Sequence, residues 1–87
     1  MTQRAVKIRL RDGLAARTVA LLVQVASQHE STVYMEAEGK KVNAKSIMGM
    51  MSLGLDTGAE VVVTADGNDE QKAVDDIERF LSGSQET

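Results

Sequence analysis

Apolar and polar residues alternate at the start of the chain: Val6, Ile8 and Leu10 are separated by Lys7, Arg9 and Arg11. A period of two belongs to a strand with one buried and one wet face. Asp12-Gly13 ends it with a turn signal. The period then changes. From Ala16 to Ser27 there is no glycine, and Val19, Leu22, Val23 and Ala26 recur at i, i+3, i+4 and i+7, the spacing of a helix. Leu21 and Val25 fall outside that stripe, so the helix is apolar over a wider arc than one core contact needs. A broad core stripe is the expected reason, and contact with a partner is the alternative.

Alternation returns at Thr32–Ala37, with Val33, Met35 and Ala37 against Thr32, Tyr34 and Glu36. Glu38-Gly39 is a turn, and Lys41 to Ala44 runs back as a short strand to complete a hairpin. Ser46 opens a short helical stretch from Ile47 to Leu53, which Gly54 or Gly58 closes. Glu60 to Ala65 contains Val61, Val62 and Val63, β-branched and strand-like. Asp66-Gly67 ends that strand. Asn68 then reads as the N-cap of a last helix, with Gln71 in capping-box spacing and Asp69 and Glu70 at the positive end of the helix dipole. Val74, Ile77 and Leu81 form its buried stripe, with Ala73 and Phe80 beside it. Gly83 stops the helix, and Ser84 to Thr87 is expected to fray. The order β-α-β-β-α-β-α, with half-wet strands, predicts an α+β open-faced sandwich whose helices cover one side of the sheet.

Composition narrows what such a domain could do. The chain has 87 residues, enough for a single domain spanning 1–87. It has no cysteine, which excludes disulfides, thiolate metal sites and a cysteine nucleophile. A single histidine is too few for a histidine-based metal site or a conventional triad. The residues call for no metal and no cofactor. A net charge of -3 and two aromatic residues, Tyr34 and Phe80, argue against direct nucleic-acid binding and an anionic membrane surface. Charged residues interrupt the first dozen positions, so no signal-peptide stretch appears, and no apolar run approaches a membrane span. A cytoplasmic location is the expectation. Phosphate loops and nucleophile elbows are absent, and the carboxylates read as spread, solvated charges, so an enzyme is not expected.

Four features could carry chemistry. Ser46 directly precedes an apolar helical turn. One reading is an N-cap, its hydroxyl accepting from a backbone N–H. The other is a phosphorylation site, where the added charge meets unpaired N–H groups at a helix start and the fold survives. After it, Met48, Met50 and Met51 place three of the five methionines within four residues. Such a run serves either core packing or soft, adaptable docking, and a short helix on a sheet cannot bury all of it. Arg17 stands in the first turn of the long helix, a poor place for a cation unless it clamps an anion. His29, near the end of that helix, reads as a solvated surface residue.

Two segments carry a resemblance. Gly13-Leu14-Ala15-Ala16-Arg17 before a helix, and Lys45-Ser46-Ile47-Met48-Gly49-Met50-Met51-Ser52-Leu53-Gly54, resemble the HPr proteins of the bacterial sugar phosphotransferase system, over nearly the whole chain. The resemblance implies the HPr fold, a four-stranded antiparallel sheet under three helices. HPr phosphocarriers have a histidine where this chain has Ala15, and it takes phosphate from phosphoenolpyruvate by way of enzyme I. Ala15 has no nucleophile, so the resemblance implies that carrier activity is absent. Thr18 also replaces the family's usual proline. His29 cannot substitute, since it lies about 20 Å away if the intervening residues are helical.

Ser46 matches the ATP-dependent regulatory serine of Gram-positive HPr proteins. A regulatory serine without a carrier histidine is similar to the catabolite-repression HPr-like branch of the family, although that branch has glutamine at position 15 and keeps the proline. The resemblance then implies phosphorylation of Ser46 by HPr kinase/phosphorylase and binding to catabolite control protein A as corepressor. Ile47, Met48 and Met51 would form the docking surface with Arg17, Ala20, Leu21 and Gln24. The regulator, not this chain, would touch DNA. Two alternatives stay open: a phosphocarrier whose histidine has been replaced, and an interaction module that is never phosphorylated. The chain is expected to be a monomer with access to a strand-exchanged homodimer, through its short first strand at the edge of an open sheet.

Overall fold

A computed structural model describes residues 1–11 and 13–83. Its elements are β1 Thr2–Lys7, α1 Ala16–Ser27, β2 Thr32–Ala37, β3 Lys40–Asn43, α2 Ile47–Met51, β4 Glu60–Asp66 and α3 Glu70–Leu81. The strands form one antiparallel sheet in the order β1-β4-β2-β3, so β1 and β3 are its edges. The three helices cover one face, as the half-wet strand pattern predicts. Val6, Val61, Val63, Ala65, Val33 and Met35 point into the core, where they meet Val19, Leu22 and Ala26 of α1 and Ala73, Val74, Ile77 and Leu81 of α3. Their neighbours in the strands, such as Gln3, Tyr34 and Glu36, lie on the opposite face.

The first strand lies earlier than the alternation predicts. Val6, Ile8 and Leu10 are buried and Lys7, Arg9 and Arg11 exposed, as read, but the ladder with β4 runs only from Thr2 to Lys7. Beyond it the backbone of Ile8 bonds to Gly58 and Ala59, and Arg9 N–H donates to the Leu81 carbonyl at 2.8 Å. Upstream, the half-buried Thr2 and Arg4 face the helices. Thr2 donates to Glu70 at 2.6 Å, and Arg4 reaches Asp75 and Glu78 at 2.7 and 2.8 Å. Polar side chains on the helix side of a strand leave no hydrophobic trace.

Of the turn expected at Asp12-Gly13, Asp12 lies outside the described residues. Gly13 has φ 59, and a Cβ there would stand 2.6 Å from the Leu55 carbonyl oxygen, so a side chain has no room. The 84–87 tail also lies outside the described residues. Helix α1 has the predicted limits, and its N-cap is Ala15. Val23 and Val25 pack partly against the core, whereas Leu21 is exposed, so the wide apolar arc of α1 is divided between core and surface. β3 begins one residue earlier than expected and α2 stops at Met51, with Ser52 as its C-cap.

The N-terminus of α3 also differs from its expected form. The N-cap is Asp69, not Asn68, and its side chain makes no capping bond. Glu70 reaches back instead, its Oε1 accepting from Gly67 N–H at 3.2 Å. The Asp69 carboxylate turns away to accept from the Ser31 hydroxyl and from the N–H groups of Glu30 and Ser31.

These bonds are expected to make the fold acid-sensitive. The Ser31 hydroxyl and the two N–H groups hold the Asp69 carboxyl well below the usual carboxylate range. The Thr2 hydroxyl, the N-terminal amine and Gly67 N–H pull Glu70 down to about 2. A carboxyl depressed by folding stabilises the native state fully above its unfolded value, near 4 to 4.5 here, and loses that contribution as pH falls through the folded value. The urea midpoint is therefore expected to drop between about pH 4.5 and about pH 2, and Asp69→Asn to flatten that slope. Equal slopes in the two proteins would remove Asp69 from the account.

Candidate functional site

Ser46 closes the loop between β3 and α2. The Asn43 side chain accepts from Lys45 N–H at 2.8 Å, and the Asn43 carbonyl accepts from Ser46 N–H at 3.0 Å, so the loop turns tightly. Ser46 is extended, with φ −109 and ψ 116, and its Oγ accepts from Gly49 N–H at 3.1 Å. The N-cap expected from sequence is in place. Glycine three residues on is sterically apt, since a Cβ at Gly49 would lie 3.3 Å from Ser46 Oγ. Ser46 is partly buried, neither enclosed in the core nor fully exposed.

Helix α2 divides its apolar run by direction. Met50 is fully buried. Met48 is 84% exposed, and Ile47 and Met51 are each 48% exposed. The core-packing reading therefore holds for Met50, while Met48 and Met51 are left at the surface. Lys40 Nζ donates to the Ser52 carbonyl at 3.2 Å, placing a cation at the negative end of α2.

Helix α1 packs beside α2. Arg17, Ala20, Leu21 and Gln24 follow the i, i+3, i+4, i+7 spacing and are all exposed, on the face opposite Val19, Leu22 and Ala26. Among the described residues, Arg17 makes no ion pair or side-chain hydrogen bond. No acid occupies the first turn of α1 to compete for it. Of the large hydrophobic residues exposed among those described, Leu21, Ile47, Met48 and Met51 lie on these two helices. Ala15, at the α1 N-cap with φ −69 and ψ 163, is exposed and makes no side-chain cap bond. Its methyl group can neither accept nor transfer a phosphoryl group.

One cluster contradicts the sequence reading. His29 is 6% exposed rather than solvated. Its Nδ1 lies 3.2 Å from Asp69 and its Nε2 3.0 Å from Asp76, so each ring nitrogen faces a carboxylate. The carbonyl of His29 accepts from Lys45 Nζ at 2.8 Å. The end of α1, the start of α3 and the residue before Ser46 are tied together there. Asp75 and Glu78 pair with Arg4 while staying half-exposed, and Asp76 faces the His29 ring. A signal for this cluster was available, because Asp69 and Asp76 are seven residues apart and share one face across two helical turns. Among the described residues, no group of His, Asp and Glu is arranged to hold a metal ion, and no helix is long and apolar enough to cross a membrane.

Comparison with known proteins adds to this geometry. Residues 2–83 match the family model described as the PTS HPr component phosphorylation site. The chain is 51% identical over 81 residues to the HPr-like protein Crh of Bacillus subtilis, covering 93% of this chain and 95% of that one. The crystal structure of HPr-C-His from Thermoanaerobacter tengcongensis overlays with a TM-score of 0.91 at 42% identity, covering 95% of this chain and 93% of the other. The 1.8 Å crystal structure of selenomethionyl Bacillus subtilis Crh, described as a swapped, intertwined dimer, overlays with a TM-score of 0.75 at 51% identity and 93% coverage of each chain.

Proposed function

The chain belongs to the HPr family, and from that premise we propose that it is a regulatory HPr-like protein of carbon catabolite repression, without phosphoenolpyruvate-dependent carrier activity. HPr kinase/phosphorylase phosphorylates Ser46. The phosphorylated protein then binds catabolite control protein A as corepressor in the cytoplasm, without touching DNA itself. The observation that carries this reading is a partly buried serine at the head of α2 with Ile47, Met48 and Met51 exposed immediately beyond it. Ala15 supports the loss of carrier activity, and the likeness to proteins named Crh supports the regulatory role.

In physical terms, the partner reads two things together. The phosphate oxygens offer charge-assisted acceptors to basic side chains. The apolar surface of α2 and the Arg17, Ala20, Leu21 and Gln24 face of α1 offer area around that charge. The protein is a binding component and not an enzyme.

The chain is also proposed to reach a strand-exchanged homodimer. β1 is an edge strand bonded to β4 alone. The likeness to Crh, whose crystal structure is described as a swapped, intertwined dimer, supports this reading.

Intact mass tests the functional reading. After incubation with ATP and HPr kinase, the protein is expected to gain one phosphate, mapped to Ser46. After incubation with phosphoenolpyruvate and enzyme I, it is expected to gain none. Phosphate from the second mixture would restore the carrier reading. Phosphate from neither would leave an interaction module whose serine only caps α2.

A further inference from the structure

The methionines fall into two classes by environment. Met35 and Met50 are fully enclosed in the core, whereas Met48 and Met51 present their thioethers on the outer side of α2, two and five residues from Ser46. We propose that Met48, with Met51, is an oxidation site, and that its sulfoxide weakens docking of the phosphorylated protein. This inference rests on the docking role proposed for the α2 surface.

The co-reactant is a peroxide. The thioether sulfur attacks one oxygen of hydrogen peroxide, an S–O bond forms and the O–O bond breaks. The departing hydroxide takes up the proton released at the new S–O group and leaves as water. Sulfur loses two electrons and the peroxide gains them, giving methionine sulfoxide, a product that reductases reverse. The sulfoxide is polar and chiral where the thioether was apolar and adaptable, so it loses the contact area that a docking partner would bury. Selectivity follows from access. An oxidant in water reaches Met48 and Met51 directly but must wait for the core to open before it meets Met50 or Met35. The phosphate at Ser46 is untouched, which makes oxidation a second input on the same surface. A phosphorylated chain would dock more weakly while oxidised and would recover on reduction.

The test uses the full chain, phosphorylated at Ser46, and limiting hydrogen peroxide. Peptide masses are expected to show sulfoxide at Met48 and Met51 roughly tenfold or more ahead of Met50 and Met35. The exposed Met1 is expected to oxidise too. Binding to catabolite control protein A is measured before and after treatment. The oxidised protein is expected to bind roughly tenfold more weakly, and methionine sulfoxide reductase to restore binding. The double variant Met48→Leu, Met51→Leu has no thioether on this surface, so whatever its starting affinity, peroxide is expected to cause no further loss, which separates the effect from Met1. Equal oxidation of buried and exposed methionines, or undiminished binding by the oxidised protein, would overturn the proposal. If the untreated phosphoprotein fails to bind, the docking reading falls first. The functional half of the proposal falls with it, and the oxidation order still decides whether Met48 is the site.

Discussion

Ser46→Ala is expected to take up no phosphate from ATP and HPr kinase and to lose phosphate-dependent binding to its regulator entirely. The variant removes the phosphate acceptor and the cap in one step, but the two losses differ greatly in size. As a cap, the hydroxyl makes a single bond to Gly49 N–H at 3.1 Å on a five-residue helix, and losing such a bond costs about 1 kcal/mol. Met50, at the next turn, holds α2 to the core regardless. The far-ultraviolet spectrum should therefore be unchanged and the melting temperature only slightly lower. As a phosphate carrier, the same oxygen would support more than one charge-assisted bond to a basic partner. Two of these at about 1.5 kcal/mol each amount to roughly a hundredfold in affinity. Ser46→Asp supplies one negative charge and caps α2 equally well, so it should bind between the alanine variant and the phosphoprotein. An alanine variant that binds as tightly as the phosphoprotein would refute the switch.

How much of this was legible in the sequence follows from the kind of signal each feature leaves. The core was readable because burial follows period: Val19, Leu22 and Ala26 on α1, and Val74, Ile77 and Leu81 on α3, are enclosed as their spacing requires. The start of β1 was not, because Thr2 and Arg4 occupy helix-facing positions as polar residues satisfied by Glu70, Asp75 and Glu78. Hydrophobic periodicity cannot register a half-buried position filled by a paired polar side chain. His29 failed for a related reason. A histidine at the end of an amphipathic helix looks solvated until tertiary structure delivers Asp69 and Asp76 from forty and forty-seven residues away. The cap of α3 is Asp69 and not Asn68, and its side chain is drawn to Ser31 across the fold instead of capping the helix. Long-range hydrogen bonding overrode local propensity in each case. The Ser46 cap needed nothing distant, and its geometry was foreseen.

Met48 and Met50 are two residues apart on α2, and truncating each to alanine is expected to give opposite results. Met50→Ala removes a side chain with no solvent exposure from a close-packed core. Its neighbours relax only partly around the cavity, and such truncations cost about 2–5 kcal/mol. A domain of this length holds roughly 4–13 kcal/mol in total, so the variant should melt far below the parent and populate unfolded chains at moderate temperature. Met48→Ala removes a side chain that is 84% exposed and leaves no cavity. Alanine favours helix at least as well, so the stability change should stay within about 0.5 kcal/mol. Phosphorylation of Ser46 should proceed, while binding of the phosphoprotein to its regulator weakens roughly tenfold through lost apolar contact. Thermal melts and binding isotherms on the two variants, side by side, separate the roles. An unchanged dissociation constant for Met48→Ala would remove Met48 from the docking surface, and a stability loss equal to that of Met50→Ala would show that the outward face of α2 is packed after all. The comparison has force because residue type, helix and neighbourhood are nearly constant, and what differs is the direction each side chain takes from the helix.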